Sequence, residues 1–316
     1  MVRLVSGAVL AVLGYIALGG VMSAAAHTAQ MRGQMVDIGQ GRQLHLICEG
    51  APSAAPTVLF EAGAFGFSAD WGAVQAALTA KGIRSCAYDR AGLGASPIAT
   101  GPRDGLAISR DLEALLTAAN ETGPFILVGH SMAGAYVTLF ALRNPQKMAG
   151  LVLVDAAPPI ANTLKPVSGF VSAFARASRV AAFGASMGLF KPLAWTGLAD
   201  KIGLPPAASA EKRRAFASGA HNRAAADEVA LWAKAAEQAR DLGKLDSALP
   251  VAVVTAGPVT DARKDWKQIQ ATPALESRFG FVHHVAKASH STLLGQTYCF
   301  HIVEAIGEVA AAAHRS

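Results

Sequence analysis

Phe125-Ile126-Leu127-Val128-Gly129-His130-Ser131-Met132-Ala133-Gly134-Ala135-Tyr136 is the stretch from which the rest of the chain is read. Its first four residues form an apolar run too short for a helix, the pattern of a buried strand. After a few small residues, Tyr136, Val137, Phe140 and Ala141 recur at helical spacing on one face. Ser131 stands at the corner. A strand that turns so sharply into a helix holds its corner residue in a strained backbone conformation. It also brings strand and helix so close that the positions two before and two after must be small. Gly129 and Ala133 meet that demand. This is the nucleophile-elbow pattern G-x-S-x-G, with Ala133 in place of the last glycine and Gly134 directly behind it.

Outside this stretch, composition limits the possibilities. The chain has 316 residues, 52% hydrophobic and only 16% charged, which supports a sizeable core and argues against disorder. The net charge is +6, but the basic residues are scattered and interleave with no aromatic platform. No nucleic-acid partner is expected. Cys48, Cys86 and Cys299 are too few and too separated for a disulfide framework. Cys48 and Cys86 fall in strand-like runs, where a buried thiol acts as a small hydrophobe. One disulfide stays open if the chain is exported, and the sequence alone cannot pair the cysteines. No Cys/His spacing resembles a metal site, and neither a metal nor an organic cofactor is implied.

The N-terminus begins with a positive end, the amino group and Arg3. Leu4 to Met22 follows free of charge, and then Ser23-Ala24-Ala25-Ala26. That is an export signal, or an uncleaved membrane anchor of similar appearance. Either way the expectation is an exported protein, periplasmic or extracellular, or one associated with the membrane through residues 4–22.

From Met35 the chain alternates. Met35–Ile38 and Gln43–Cys48 read as a hairpin around Gly39-Gln40-Gly41. Strands follow at Thr57–Phe60, Ile83–Tyr88, Phe125–Val128 and Gly150–Val154, with helical patterns between them. This implies an α/β fold, a mostly parallel sheet with helices on both faces and an antiparallel edge. Residues 156–249 break the alternation with helical spacing punctuated by prolines, and are expected to form a helical cap insertion. Its first half, to about Leu204, is unusually apolar. A pocket lid, a membrane-facing surface or ordinary packing would each explain that, and packing is the default. Strands at Pro250–Ala256 and Phe281–Ala286, with helices over 262–276 and 296–314, complete the core. The expected organisation is therefore 1–26 signal or anchor, 35–155 and 250–316 core, and 156–249 cap.

A serine hydroxyl is a poor nucleophile until a base takes its proton, and an acid must orient that base. In doubly wound sheets reactive groups gather beyond the carboxyl ends of the strands. Those positions hold Ala62-Gly63-Ala64, Arg90, Ser131, Asp155, Asp261 and His290. Serine, then aspartate, then histidine is the chain order this kind of fold uses. His290 follows the last strand, so it is the candidate base.

Four ordered motifs now stand together. They are Glu61-Ala62-Gly63-Ala64-Phe65-Gly66, Tyr88-Asp89-Arg90-Ala91-Gly92-Leu93-Gly94-Ala95-Ser96, Gly129-His130-Ser131-Met132-Ala133-Gly134 and Ala288-Ser289-His290. With them the chain resembles the α/β-hydrolase family over about residues 35–316. The resemblance implies a helical cap after the sixth strand that shapes the substrate pocket. It also implies an oxyanion hole from the backbone N–H groups of Ala64 and Met132. The family's usual proline-containing pattern after the final histidine is absent. Residues 291–300 read Ser-Thr-Leu-Leu-Gly-Gln-Thr-Tyr-Cys-Phe.

The expected activity is hydrolysis of a carboxylic ester through an acyl-serine, with amide, thioester or lactone cleavage as alternatives. A serine at the elbow argues against the dehalogenase and epoxide-hydrolase chemistries that the same fold supports with aspartate there. A non-catalytic binding protein on this scaffold is the rival from another class. The acid is open between Asp155 and Asp261. Asp261 has a ready alternative task as a helix N-cap, which favours Asp155. Glu61 and Arg90, at neighbouring strand ends, are expected to pair. His130 is expected to pack or hydrogen-bond locally. His283 and His284 point to opposite faces of one strand and cannot both reach the site, and His45, in an early strand, is similarly unpromising as a site residue.

Overall fold

A computed structural model of the chain describes residues 2–25, 32–197 and 200–315. The strands are β1 (Gln34–Gly39), β2 (Arg42–Glu49), β3 (Thr57–Glu61), β4 (Ser85–Asp89), β5 (Phe125–His130), β6 (Met148–Val154), β7 (Val251–Ala256) and β8 (Gly280–Val285). They form one eight-stranded sheet in the order β1-β2-β4-β3-β5-β6-β7-β8. The β1–β2 and β2–β4 pairs are antiparallel and all others parallel, so the expected antiparallel edge is present.

Side chains alternate between the faces of the sheet, as the pleat requires. Val58, Phe60, Ile126, Val128, Val152 and Val154 point to one face, against α2 (Gly72–Thr79) and α11 (Cys299–Ala313). Leu59, Phe125, Leu127, Leu151 and Leu153 point to the other, against α3 (Gly105–Ala118), α4 (Ala133–Arg143) and α10 (Asp261–Glu276). Both faces are therefore covered, which is why the central strands read as unbroken apolar runs. Element ends differ by a few residues from the expected ones. β4 starts at Ser85 because Gly82, at φ 71°, and the Ile83 N–H bonded to Leu78 O are still closing α2.

Between β6 and β7 lie α5 (Lys165–Ser186), the short α6 (Phe190–Leu193), α7 (Pro206–Ala217), α8 (Gly219–Ala230) and α9 (Trp232–Asp241). Val171, Val229, Trp232 and Ala235 from this segment pack with Met132, Ala133 and Tyr136 around the elbow. The inserted helices thus share a core with the sheet domain. Packing does not absorb all of their apolar surface, however. Phe170, Val180, Phe183 and Met187 of the α5 region are exposed.

Residues Val2–Ala25 form one helix, α1. Tyr15 donates its hydroxyl to Leu189 O at 3.2 Å, which seats α1 beside the start of α6. Among the described residues no helix is long and apolar enough to cross a membrane, so the anchor expectation gains no support. Ala26, the last of the small residues behind the expected export signal, lies outside the described residues.

Cys48 and Cys86 are not the inert thiols expected of them. They face each other across the β2–β4 pair, Cα atoms 4.1 Å apart, and form a disulfide. Sequence could not pair them because their register exists only once β4 docks against β2. Cys48, Cys86 and Glu121 have metal-like spacing, but the disulfide consumes two of those three donors. Cys299 is free and buried. Removing a bond that spans 38 residues of sequence should cost about 2–5 kcal/mol. The double variant Cys48→Ser/Cys86→Ser should show that loss in urea denaturation. Equal midpoints for parent and variant would contradict it.

Candidate active site

Ser131 sits between β5 and α4 at φ 57°, in the left-handed region that a non-glycine residue adopts at a cost. Three backbone bonds hold it there. Its N–H donates to Val154 O at 3.1 Å, and its carbonyl accepts from Gly134 N at 3.2 Å and Ala157 N at 3.1 Å. The small residues around it are needed for close approach. A Cβ on Gly129 would lie 2.7 Å from a Val137 methyl, and one on Gly63 would lie 2.9 Å from the Ser131 Cβ. Gly63 therefore lets the loop after β3 lie against the serine.

His290, in the loop after β8, connects the serine to an acid. Its Nε2 is 2.9 Å from Ser131 Oγ and its Nδ1 is 2.7 Å from Asp155 Oδ2. Asp155, directly after β6, takes φ 41°. Its second oxygen, Oδ1, accepts from Gln270 Nε2 at 3.1 Å, Ala256 N at 3.2 Å and Lys267 Nζ at 3.4 Å. Burial pushes the Asp155 carboxyl up. The hydrogen bond and charge of His290, with Lys267 and the Ala256 N–H, outweigh burial and hold it well below the usual carboxylate range. Asp261 opens α10 as its first residue, with Thr260 at the N-cap position, and is exposed. The partners of His290 are Ser131 and Asp155, not Asp261.

Ala64 and Met132, the residues expected to supply oxyanion N–H groups, line the same cavity as Ser131 and His290. Met132 is the N-cap residue of α4, so its N–H lies at the positive end of that helix. The cavity has a volume of about 710 Å³. Val167, Phe170, Phe174, Trp232, Trp266 and Leu294 give it a largely apolar wall, and Lys212 and Asp70 contribute an internal ion pair at 2.9 Å.

The expected Glu61–Arg90 pair is present at 2.6 Å, within a larger buried network. The Arg90 guanidinium also donates to Glu228 of α8 at 2.9 Å, to Ala62 O at 2.6 Å and to Gly63 O at 3.0 Å. Tyr88 donates its hydroxyl to Glu61. Burial pushes the Glu61 carboxyl up, while the two carboxylates beside Arg90 keep that guanidinium charged despite its own burial.

Sequence reasoning undervalued several residues. His130 Nε2 donates to His290 O at 3.0 Å, and the two rings lie 4.5 Å apart. His130 therefore braces the loop that carries His290. Burial, and then the neighbouring His290, push its imidazole down to about 3, so it is neutral and its Nε2 keeps a proton to donate. The only signal in sequence was its place next to Ser131. Glu228, Lys267 and Gln270 gave none, because each acts across the fold. His45 pairs with Asp89 at 2.9 Å, His283 with Glu308, and His284 with Thr255, all away from Ser131.

A family model described as alpha/beta hydrolase fold matches residues 56–290. Among curated proteins, the sn-1-specific diacylglycerol lipase ABHD11 of Mus musculus is 31% identical over 119 residues, 37% of this chain and 38% of that protein. The chain spans less than half the length of the curated relatives it matches. Among solved structures, the Cif epoxide hydrolase from Acinetobacter nosocomialis superposes with a TM-score of 0.67 at 16% identity, covering 91% of this chain and 95% of that one. A thermophilic esterase from Thermogutta terrifontis gives 0.62 at 20% identity, covering 90% of this chain and all of that one. At such identities the likeness is one of fold.

The buried histidines set an expected pH dependence. His130 and His221 are held down to about 3 and about 4, His221 by burial and then by Lys212. Unfolding frees both to titrate near an ordinary value of about 6.5. Below that pH the unfolded chain binds protons that the folded chain does not, so stability falls by about 1.4 kcal/mol per pH unit for each group. His130→Gln should remove one such share from the slope of unfolding free energy between about pH 6 and pH 5. An unchanged slope would show that His130 is not held neutral.

Proposed function

The chain belongs to the alpha/beta hydrolase family, and from that premise we propose that it is a serine hydrolase cleaving a carboxylic ester through an acyl-serine. The observation that carries this reading is the continuous Ser131–His290–Asp155 hydrogen-bond chain, with contacts of 2.9 and 2.7 Å, opening on an apolar cavity. Ser131 Oγ attacks the carbonyl carbon as His290 Nε2 takes its proton, and Asp155 holds the imidazole in the right tautomer and stabilises the imidazolium. The carbonyl oxygen becomes an oxyanion facing the N–H groups of Ala64 and Met132. Collapse breaks the ester bond, and His290 returns the proton to the leaving alkoxide. Water, activated by His290, then releases the acid and restores Ser131. In this reading the helical insertion acts as a cap that shapes the cavity, whose apolar wall suits an acyl or alkyl chain.

The test is covalent. A fluorophosphonate should label Ser131, and Ser131→Ala should abolish both labelling and ester hydrolysis. Labelling that survives in that variant would refute the mechanism. Asp155→Asn should approach the roughly 10⁴-fold loss of turnover that the wrong histidine tautomer causes in an analogous triad. Asp261→Asn should leave turnover near that of the parent, and the reverse order would transfer the acid to Asp261.

We also propose that the protein is exported. The charge-free run from Leu4 to Met22 behind Arg3 and the Cys48–Cys86 bond both support an oxidising compartment. Fractionation of the native cell should recover the oxidised protein outside the cytoplasm. Recovery in the cytoplasm with both thiols free would refute export.

A further inference from the structure

The apolar first half of the insertion has a use that a cavity lid alone does not explain. Val180, Phe183 and Met187 on the α5 side of the molecule are 74%, 70% and 55% exposed. Phe170, which lines the cavity and stacks on Phe174 at 5.8 Å, is itself 61% exposed. Large side chains in such density on one element are far from the scattered apolar residues of an ordinary surface. Val180, Phe183 and Met187 share one sector of the helical wheel, and Phe170, nearer the start of the helix, stands on the flank of that sector beside the cavity.

The charge on this face has one sign. From Ala156 to Leu198 the sequence contains Lys165, Arg176, Arg179 and Lys191 and no Asp or Glu. None of these four cations forms an ion pair among the described residues. On a 100° helical wheel, Arg176 and Arg179 fall in the same sector as Val180 and Phe183, and all four are exposed. The neighbouring α8 adds exposed Arg223, bonded to Ser186, and one exposed acid, Asp227. Beside the α5–α6 corner, α1 carries further exposed apolar residues, among them Leu10, Leu13 and Leu18.

Cations interleaved with large apolar residues on one helix face complement a surface that is itself anionic outside and apolar beneath. A protein partner of matching apolar shape would give no reason for the exclusion of acids over so long a stretch. We infer that the exposed face of α5 docks on an anionic lipid surface, lying in its interface, with Phe170 and the rim of the Ser131 cavity on the flank of the docked face. The enzyme then draws its ester from the lipid phase. This last step rests on the serine-hydrolase reading, whereas the docking does not.

Vesicles of phosphatidylcholine with phosphatidylglycerol, compared with pure phosphatidylcholine, test the docking by co-sedimentation of the full chain. The protein should bind the anionic vesicles and lose binding as salt rises. Val180→Asp/Phe183→Asp and Arg176→Glu/Arg179→Glu should each lower partitioning about tenfold or more. They should lower hydrolysis of a long-chain ester carried in those vesicles to the same degree. Hydrolysis of a short water-soluble ester should stay unchanged, since none of these residues lines the cavity. Absent binding, equal binding to both vesicles, or undiminished binding in both variants overturns the proposal. So does self-association through this face without vesicle binding, which would assign it to a protein contact. Failure of the parent on the soluble ester would count instead against the serine-hydrolase reading, with vesicle binding read independently.

Discussion

The buried guanidinium of Arg90 is the interaction on which the geometry around Ser131 depends. A planar fork of five donors that never loses its charge must have every donor answered if it is to be buried. Its answers come from separate parts of the chain. Glu61 ends β3, the Ala62 and Gly63 carbonyls belong to the loop beside Ser131, and Glu228 sits on an inserted helix. The guanidinium also lies 5.4 Å over the ring of Tyr136 on the elbow helix. One side chain thus fixes the proposed oxyanion loop relative to the elbow and ties both to the insertion. Because two carboxylates share one cation, the network retains excess negative charge. Burial is the main cause that raises the Glu61 carboxyl, the nearby Glu228 adds to it, and the Tyr88 hydroxyl donates to the same group.

Strain accumulates where function is proposed. Ser131 and Asp155 both have positive φ, and the N–H of each donates to the end of the neighbouring strand. Asp155 N donates to Val254 O at 2.6 Å, and Ser131 N donates to Val154 O at 3.1 Å, so the two strained corners brace each other through the end of β6. Glycine relieves the crowding. A Cβ at Gly134 would come 2.6 Å from Ala157 O, closing the space through which the chain leaves Asp155. The strain is therefore sustained by the ends of three adjacent strands.

Much of this was legible in the sequence because it is encoded locally. A strand–helix corner demands small residues at fixed positions, so Gly129, Ser131 and Ala133 could be read together. The alternation of apolar runs and helical patterns gave the sheet, since both of its faces are covered. What could not be read is what the crossovers create. The register of β2 against β4 pairs Cys48 with Cys86, and only the fold brings Glu228 to Arg90 across 138 residues. The apolar stretch after Pro158 illustrates a different limit. Composition flagged it, but the exposure of Phe183 depends on what packs against α5, which periodicity alone cannot supply.

The choice between Asp155 and Asp261 shows how a position gains its chemistry from its surroundings. α10 begins at Asp261 and faces the end of β6 with Lys267 and Gln270. These two side chains and the Ala256 N–H all meet Asp155 Oδ1, which leaves Oδ2 to His290 alone. The division matters because a carboxylate satisfied at one oxygen cannot rotate freely, and its remaining lone pairs hold the imidazole in a single orientation. Lys267 also donates to Ala256 O at 2.5 Å, so the cation is anchored to β7 while it stabilises the anion. The helix that carries the alternative acid thus helps to hold Asp155 in place, and its Lys267 adds to the larger effect of His290 in keeping that carboxylate ionised. Asp261, exposed in its first turn, is left to the ordinary role of an acidic residue at the positive end of a helix.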